Sequence, residues 1–261
     1  MKALGKAALA VSAILIAAPI LQASTLFVTD SAAGKIYEFT PGGVPSIFAS
    51  GLSNAHGLAF DASGNLFEAD LGSGRILEFT PGGVQSTFAS GLTAPNGLAF
   101  DANGNLFVAD QGSNQIFKFT PGGVRSTFAS VSAPFNLAFD ASGNLFVASA
   151  GFGGQILKFT PGGVQSTFAS GLGEPIGLAF DASGNLFVAN SNFGAGGHIF
   201  EFTPARVQTT VDSGNVLNQP VYLVFGPNTP NIVPEPAPVA LMCGGLLALA
   251  GYGLRRQKTG R

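Results

Sequence analysis

The chain has 261 residues, with 12 Lys and Arg against 14 Asp and Glu, 24 Phe, one Cys and no Trp. Its 46% hydrophobic content excludes a disordered chain, and a lone Cys excludes a disulfide-braced fold. All fourteen acidic residues lie between Asp30 and Glu235 against six basic ones, a net charge of −8, so phosphate backbones are repelled and no nucleic-acid partner is expected.

Residues 1–23 read as a secretory signal peptide. Lys2 and Lys6 form the charged start, Ala7 to Ile20 is apolar, and Leu21-Gln22-Ala23 ends on a small residue suited to cleavage. Ser24, not Cys, stands directly after that point, which excludes a lipoprotein signal.

Residues 24–226 are a repeat array. The phrase Gly57-Leu-Ala-Phe-Asp-Ala-Ser-Gly-Asn-Leu-Phe67 returns, nearly unchanged, at Gly97, Asn136 and Gly177. A second phrase, Phe-Thr-Pro-Gly-Gly-Val, starts at Phe39, Phe79, Phe119 and Phe159, with a worn copy at Phe202-Thr-Pro-Ala-Arg-Val207. The spacing is 40 residues, then 43 for the last copy. Each unit holds four short apolar or alternating runs. Asp-Ala-Ser-Gly, a Gly/Ser loop and Thr-Pro-Gly-Gly separate them, and each is turn chemistry. Helical periodicity is absent, so the unit reads as a four-stranded propeller blade. Expected core residues are Phe60, Leu66, Phe67, Leu77, Phe79, Phe88 and their counterparts.

The ends of the array are complementary. Thr25–Asp30 is a second strand with no first strand before it, and Val221–Phe225 is a lone first strand. The expectation is an all-β, five-bladed β-propeller of four-stranded antiparallel blades. One strand from the C-terminal side joins three from the N-terminal side to close it, which removes open sheet edges. A linear β-solenoid is the alternative, and it gives no reason for matching ends.

A Pro/Asn linker spans 227–232, followed by Val233-Pro234-Glu235-Pro236. The mostly apolar stretch 237–254 is 18 residues, just long enough for a transmembrane helix, and Arg255-Arg256-Gln-Lys258 follows. The basic cluster orients the C-terminus to the cytoplasm and the propeller outside. Pro234-Glu235-Pro236, an apolar helix and the Arg255, Arg256 tip resemble the PEP-CTERM sorting signal of Gram-negative bacteria, over residues 233–258. That resemblance implies processing by an exosortase-type enzyme, transient membrane anchoring, and release to the cell surface or the extracellular polysaccharide matrix. Polysaccharide is then an expected partner.

The repeat phrase, in its form Gly-Leu-Ala-Phe-Asp-Ala-Ser-Gly-Asn-Leu-Phe-Val-Ala-Asp, resembles NHL and gluconolactonase-like (SMP-30-like) propellers. The resemblance implies fold more than activity, because this blade serves many functions. A metal-dependent lactonase or hydrolase is the enzymatic alternative it raises. Its ligands would have to converge at the channel mouth, where aligned units place His56, Asn96, Phe135, Ile176 and Val221, with Glu174 nearby. One imidazole and one amide among apolar groups do not make a metal site, so neither a cofactor nor catalysis is expected. No nucleophile–base pair or His/Glu constellation is evident either. The Asp-Ala-Ser-Gly-Asn segments read as Asx-stabilised turns rather than calcium loops. Phe152 and Phe193, in Gly-rich loops over the mouth, complete the candidate ligand face with His56, Asn96, Phe135 and Glu174. The expected role is a non-catalytic binding or structural module.

Overall fold

The computed structural model describes residues 25–40, 43–151, 153–191, 197–211 and the backbone of 240–243. The repeats form five four-stranded sheets, one per blade. Blade 1 holds β1 (Leu26–Asp30), β2 (Lys35–Phe39) and β3 (Pro45–Ser50), with β20 (Ala240–Cys243) as its inner strand. Blade 2 is β4 (Ala55–Phe60), β5 (Leu66–Asp70), β6 (Arg75–Phe79) and β7 (Gln85–Ser90). Blade 3 is β8 (Pro95–Phe100), β9 (Leu106–Asp110), β10 (Gln115–Phe119) and β11 (Arg125–Ser130). Blade 4 is β12 (Pro134–Phe139), β13 (Leu145–Ser149), β14 (Gln155–Phe159) and β15 (Gln165–Ser170). Blade 5 is β16 (Pro175–Phe180), β17 (Leu186–Asn190), β18 (His198–Phe202) and β19 (Gln208–Thr210).

Turn chemistry sets the register. In the first hairpin of blade 2, Asp61 Oδ1 accepts from the Ser63 and Asn65 amides at 2.9 and 2.8 Å, while Asn65 Nδ2 donates to Oδ2 at 2.8 Å. Asp101, Asp140 and Asp181 repeat the arrangement, so these carboxylates hold their own turns as Asx motifs. In the second hairpin the Gly83 amide donates to the Thr80 carbonyl at 2.8 Å, and Gly83 has φ 79°. The worn copy keeps this turn with Arg206 at φ 63°, a conformation costing a side-chain-bearing residue about 1 kcal/mol or more. Both turns lie on one face of the disc, with Gly64 against the Pro81 ring. The starts of the inner strands lie on the other face, at the channel mouth.

The core sits in the seams between blades. Strand alternation sends Phe67, Ala69 and Ile76 of blade 2 toward blade 3, where they meet Leu98, Leu106, Val108 and Phe119. Leu66, Leu77 and Phe79 face back onto Phe27, Ile36 and Leu52 of blade 1. Equivalent clusters fill the 3/4 and 4/5 seams. Edge-to-face Phe contacts run through every one of these seams. Phe67 meets Phe88 and Phe100 at 5.1 and 5.0 Å, and Phe88 meets Phe119 at 5.8 Å. Each such pair adds about 0.5–1.5 kcal/mol beyond burial. A register shift after Ile36, Ile76, Ile116 and Ile156 bulges the outer strand pairing of blades 1 to 4, which makes the exposed edges poor templates for further pairing.

Two expectations about the chain ends need correction. Blade 1 is completed by one strand from the C-terminal side and three from the N-terminal side, but the added strand is Ala240–Cys243. It runs parallel to β1, with Phe27 opposite Ala240 and Asp30 opposite Cys243, so this blade is not wholly antiparallel. Ala240-Leu-Met-Cys243 is an apolar run, and such a run can fill an inner-strand position as well as it can enter a helix. Val221–Phe225, expected in that place, lies outside the described residues, as do the signal peptide, Pro234, Glu235, Pro236, Arg255, Arg256 and most of 237–254. Among the described residues no helix is long and apolar enough to cross a membrane.

Phe79 is 1% exposed and wedged between blades 1 and 2. Phe79→Ala should therefore cost about 3–5 kcal/mol, read as a lowered urea midpoint with an unchanged slope.

Candidate functional site at the channel mouth

Sequence alignment of the units places His56 and Asn96 at the mouth, on β4 and β8, and the structure joins them. His56 Nδ1 lies 3.1 Å from Asn96 Oδ1. The inner strands approach so closely that only glycine fits at 57, where an added Cβ would strike the Asn96 carbonyl. The His56 carbonyl accepts from Thr29 Oγ1 at 3.1 Å, tying blade 1 to blade 2. Phe135 is half-buried at the start of β12. Glu174 is also half-buried in the connection before β16, and its amide donates to Asn190 Oδ1 at 3.1 Å. Burial raises the Glu174 carboxyl above its usual range. Phe152 and Phe193 lie outside the described residues.

The structure adds a residue that the alignment of the mouth did not reach. Glu68, in β5, is 0% exposed. Its Oε1 accepts from the His56 amide at 3.3 Å, while Oε2 has no hydrogen-bond partner among the described residues. Burial foremost, then the charge of Asp70, pushes this carboxyl up to about 9, against the His56 amide, which pulls it down. Glu68 therefore keeps its proton at neutral pH. Burial also lowers the His56 imidazole, partly offset by its bond to Asn96, so the ring is neutral there as well. A signal for Glu68 did exist in the sequence: the other units place Val28, Val108, Val147 and Val188 at this position. Thr29 is a second departure, standing where the other units have Ala69, Ala109, Ala148 and Ala189.

The remaining polar groups of the mouth serve as latches. Asp70 accepts from the Ser53 amide at 2.7 Å and from Ser73 Oγ at 2.7 Å. Asp110 accepts from the Thr93 and Ala94 amides at 3.0 and 2.6 Å. Ser149 Oγ donates to the Ser132 carbonyl at 2.6 Å. Each latch fixes the connection entering its blade. Among the described residues no group of three His, Cys, Asp or Glu is placed to hold a metal ion. His198 opens β18 and lies 6.0 Å from the Phe200 ring. Glu68 touches His56 through the backbone amide, not the imidazole, so the pair is a buried polar contact rather than an acid–base couple.

The folded carboxyl of Glu68 titrates well above the ordinary carboxylate range. The unfolded chain therefore loses this proton at lower pH, and stability falls as pH rises from about 4.5 toward 9. Glu68→Gln keeps the acceptor for the His56 amide and removes the titration. Urea midpoints at pH 5, 7 and 9 should show the variant gaining on the native protein at each step, by at most about 1.4 kcal/mol per pH unit. Parallel profiles would mean that Glu68 is ionised in the folded state.

Residues 92–119 match the NHL repeat family. No curated protein matches the chain. Among solved structures, a chain of the nidogen/laminin complex superposes with TM-score 0.65 at 22% identity, covering 77% of this chain and 79% of that one. Virginiamycin B lyase from Staphylococcus aureus gives TM-score 0.62 at 14% identity, covering 78% and 74%. A gluconolactonase from Xanthomonas campestris gives 0.60 at 17% identity, covering 77% and 76%. At these identities the likeness establishes the propeller fold alone, one that a lyase, a gluconolactonase and a chain of the nidogen/laminin complex also have.

Proposed function

We propose that this chain is an exported propeller, sorted by an exosortase-type enzyme, that acts as a non-catalytic binding module at the cell surface or in the extracellular polysaccharide matrix of a Gram-negative bacterium. The observation that carries this reading is where the repeats stop being repeats. Two departures, Thr29 where the other four units carry Ala and Glu68 where the other four carry Val, meet at His56 in the seam between blades 1 and 2. The repeated units supply a rigid frame, and the His56–Asn96 pair at the mouth, backed by the buried Glu68 and Thr29, sets this seam apart. The polar groups of that seam are neutral or spent on backbone donors, which suits recognition better than chemistry.

A metal-dependent lactonase is the second reading. One observation favours it: Glu68 and Asn96 both contact His56 near the channel. Against it, Glu68 Oε1 is already taken by the His56 amide, and among the described residues no group of three His, Cys, Asp or Glu is placed to hold a metal ion.

The binding reading expects the purified domain to be retained by the producer's extracellular polysaccharide and to release no acid from aldonolactones. Lactone turnover with a stoichiometric divalent ion would replace it with the second reading. The sorting reading expects a mature chain that begins at Ser24 and ends near Pro234–Pro236 by mass spectrometry. Such a chain lacks β20, and Val221–Phe225 should then cover β1. Amide exchange at Phe27–Asp30 in a chain ending at Ile232 should stay slow, and rapid exchange would show that no other strand takes that place.

A further inference from the structure

A second irregularity lies on the turn face of the same seam, away from the channel mouth. A cavity of about 270 Å³ opens there between blades 1 and 2. Phe27, Phe48 and Phe60 line it, and Phe27 meets the other two rings edge to face at 5.0 and 5.3 Å. Glu38, Thr25 and Thr80 also line it. The equivalent groove between blades 4 and 5 has the same three rings, as Phe146, Phe168 and Phe180, yet its cavity is only about 120 Å³.

The two grooves also differ in charge: the smaller one is lined by Lys158 and Asp140, the larger by Glu38. Lys158 stands across the strand pair from Phe146, with Nζ 5.3 Å from the ring centre and 3.8 Å from Asp140. Lys118 repeats this over Phe107 at 5.4 Å, with Asp101 at 3.9 Å. Arg206 adds a guanidinium 5.3 Å over Phe168. In blade 1 the residue across from Phe27 is Glu38. The sequence position of Asp140 falls on Leu21, and that of Arg206 falls on Gly83. Compared with the groove between blades 4 and 5, this one keeps the aromatic wall, has no cation of its own among the described residues and carries a half-buried carboxylate in place of the lysine. A carboxylate beside the negative face of an aromatic ring is poorly placed, and a cation between them satisfies both.

We infer that this groove binds an alkylammonium group from outside the chain, seated over Phe27 and paired with Glu38, where Lys118 and Lys158 sit in their own blades. The acidic surface draws such a cation in. On the matrix-binding reading, on which the source of the ligand rests, the ammonium belongs to an amino sugar with a free amine. A free small-molecule amine carries the same chemistry. Glu78 and Glu201 stand across from Phe67 and Phe187 in blades 2 and 5, where Asp61 and Asp181 retain the turn position that blade 1 lacks. They are internal controls.

The test is titration of the purified full-length protein, followed by NMR or calorimetry, with tetramethylammonium, Nα-acetyl-lysine amide and glucosamine oligomers. Neutral tert-butanol and fully N-acetylated oligomers serve as the uncharged counterparts. Saturable binding of the charged probes alone is expected. Glu38→Lys builds the arrangement of Lys158 into blade 1 and should weaken binding about tenfold or more without lowering the melting temperature, while Glu78→Lys leaves binding unchanged. Binding of the small amines but not of glucosamine oligomers supports the groove and removes the glycan as its ligand. Equal binding of neutral probes, or full binding by a folded Glu38→Lys variant, overturns the inference. So does binding that emerges only after acetylation of an N-terminus at Ser24, because the chain's own terminus would then be the occupant. The polysaccharide-retention assay stands apart from all of these outcomes.

Discussion

The structure depends on the seam between neighbouring blades. A four-stranded twisted sheet has two faces and no interior, so one blade alone leaves both sets of apolar side chains in water. Here each blade turns Leu66-type and Phe79-type residues backward and Phe67-type and Ile76-type residues forward, and each set is buried only because the next blade exists. With no Trp and a single Cys, the chain relies on Phe for this wedge. Phe79, Phe119 and Phe159 are all among the largest fully buried side chains. Stability is therefore collective along the ring, and the hairpin turns fix the register that brings each Phe to its seam.

That arrangement gives meaning to small departures. Where four units carry Val, blade 2 carries Glu68 in the middle of the seam with blade 1. A Val there contributes to burial at no electrostatic cost, whereas a carboxyl must remain protonated to be tolerated. Thr29 replaces Ala in the facing strand and binds the His56 carbonyl, so two of the substitutions in this seam are coupled through one residue. On the turn face, Glu38 exchanges the sign of the side chain that lies over an aromatic ring in blades 3 and 4. The seam has traded apolar fill and self-pairing for polar groups at both ends. Such a trade costs stability.

The blade, its turns and its core were legible because they are written locally. Asp61-Ala-Ser-Gly64 and Thr80-Pro-Gly-Gly83 hold turn information in four residues each, and strand alternation assigns Leu66 and Phe67 to opposite faces. Repeat alignment places His56 and Asn96 at equivalent points of adjacent blades, while their 3.1 Å contact emerges only from the structure. Glu68 was not legible as part of the mouth, although its departure from Val is visible in the repeat, because it lies in the second strand and meets His56 only through the cross-strand fold. The Phe27–Glu38 groove needed the cross-strand register and the cavity volume, neither of which one unit read alone can supply.

The C-terminal segment poses a conflict that is physical rather than topological. Ala240–Cys243 forms the inner strand of blade 1, yet the same residues fall within the stretch 237–254 that reads as a membrane span. One backbone cannot satisfy its hydrogen bonds in a parallel ladder and in a helix at once, so the two uses exclude each other in any one molecule. The words of the repeat weigh on which use lasts. Val221-Tyr-Leu-Val-Phe225 ends on Phe with the alternation of Gly57-Leu-Ala-Phe60, whereas Ala240-Leu-Met-Cys243 offers no aromatic side chain to a seam whose other members each close on one. A blade completed by the repeat's own first strand leaves the apolar tail free for a membrane. A blade completed by Ala240–Cys243 holds that stretch against the propeller.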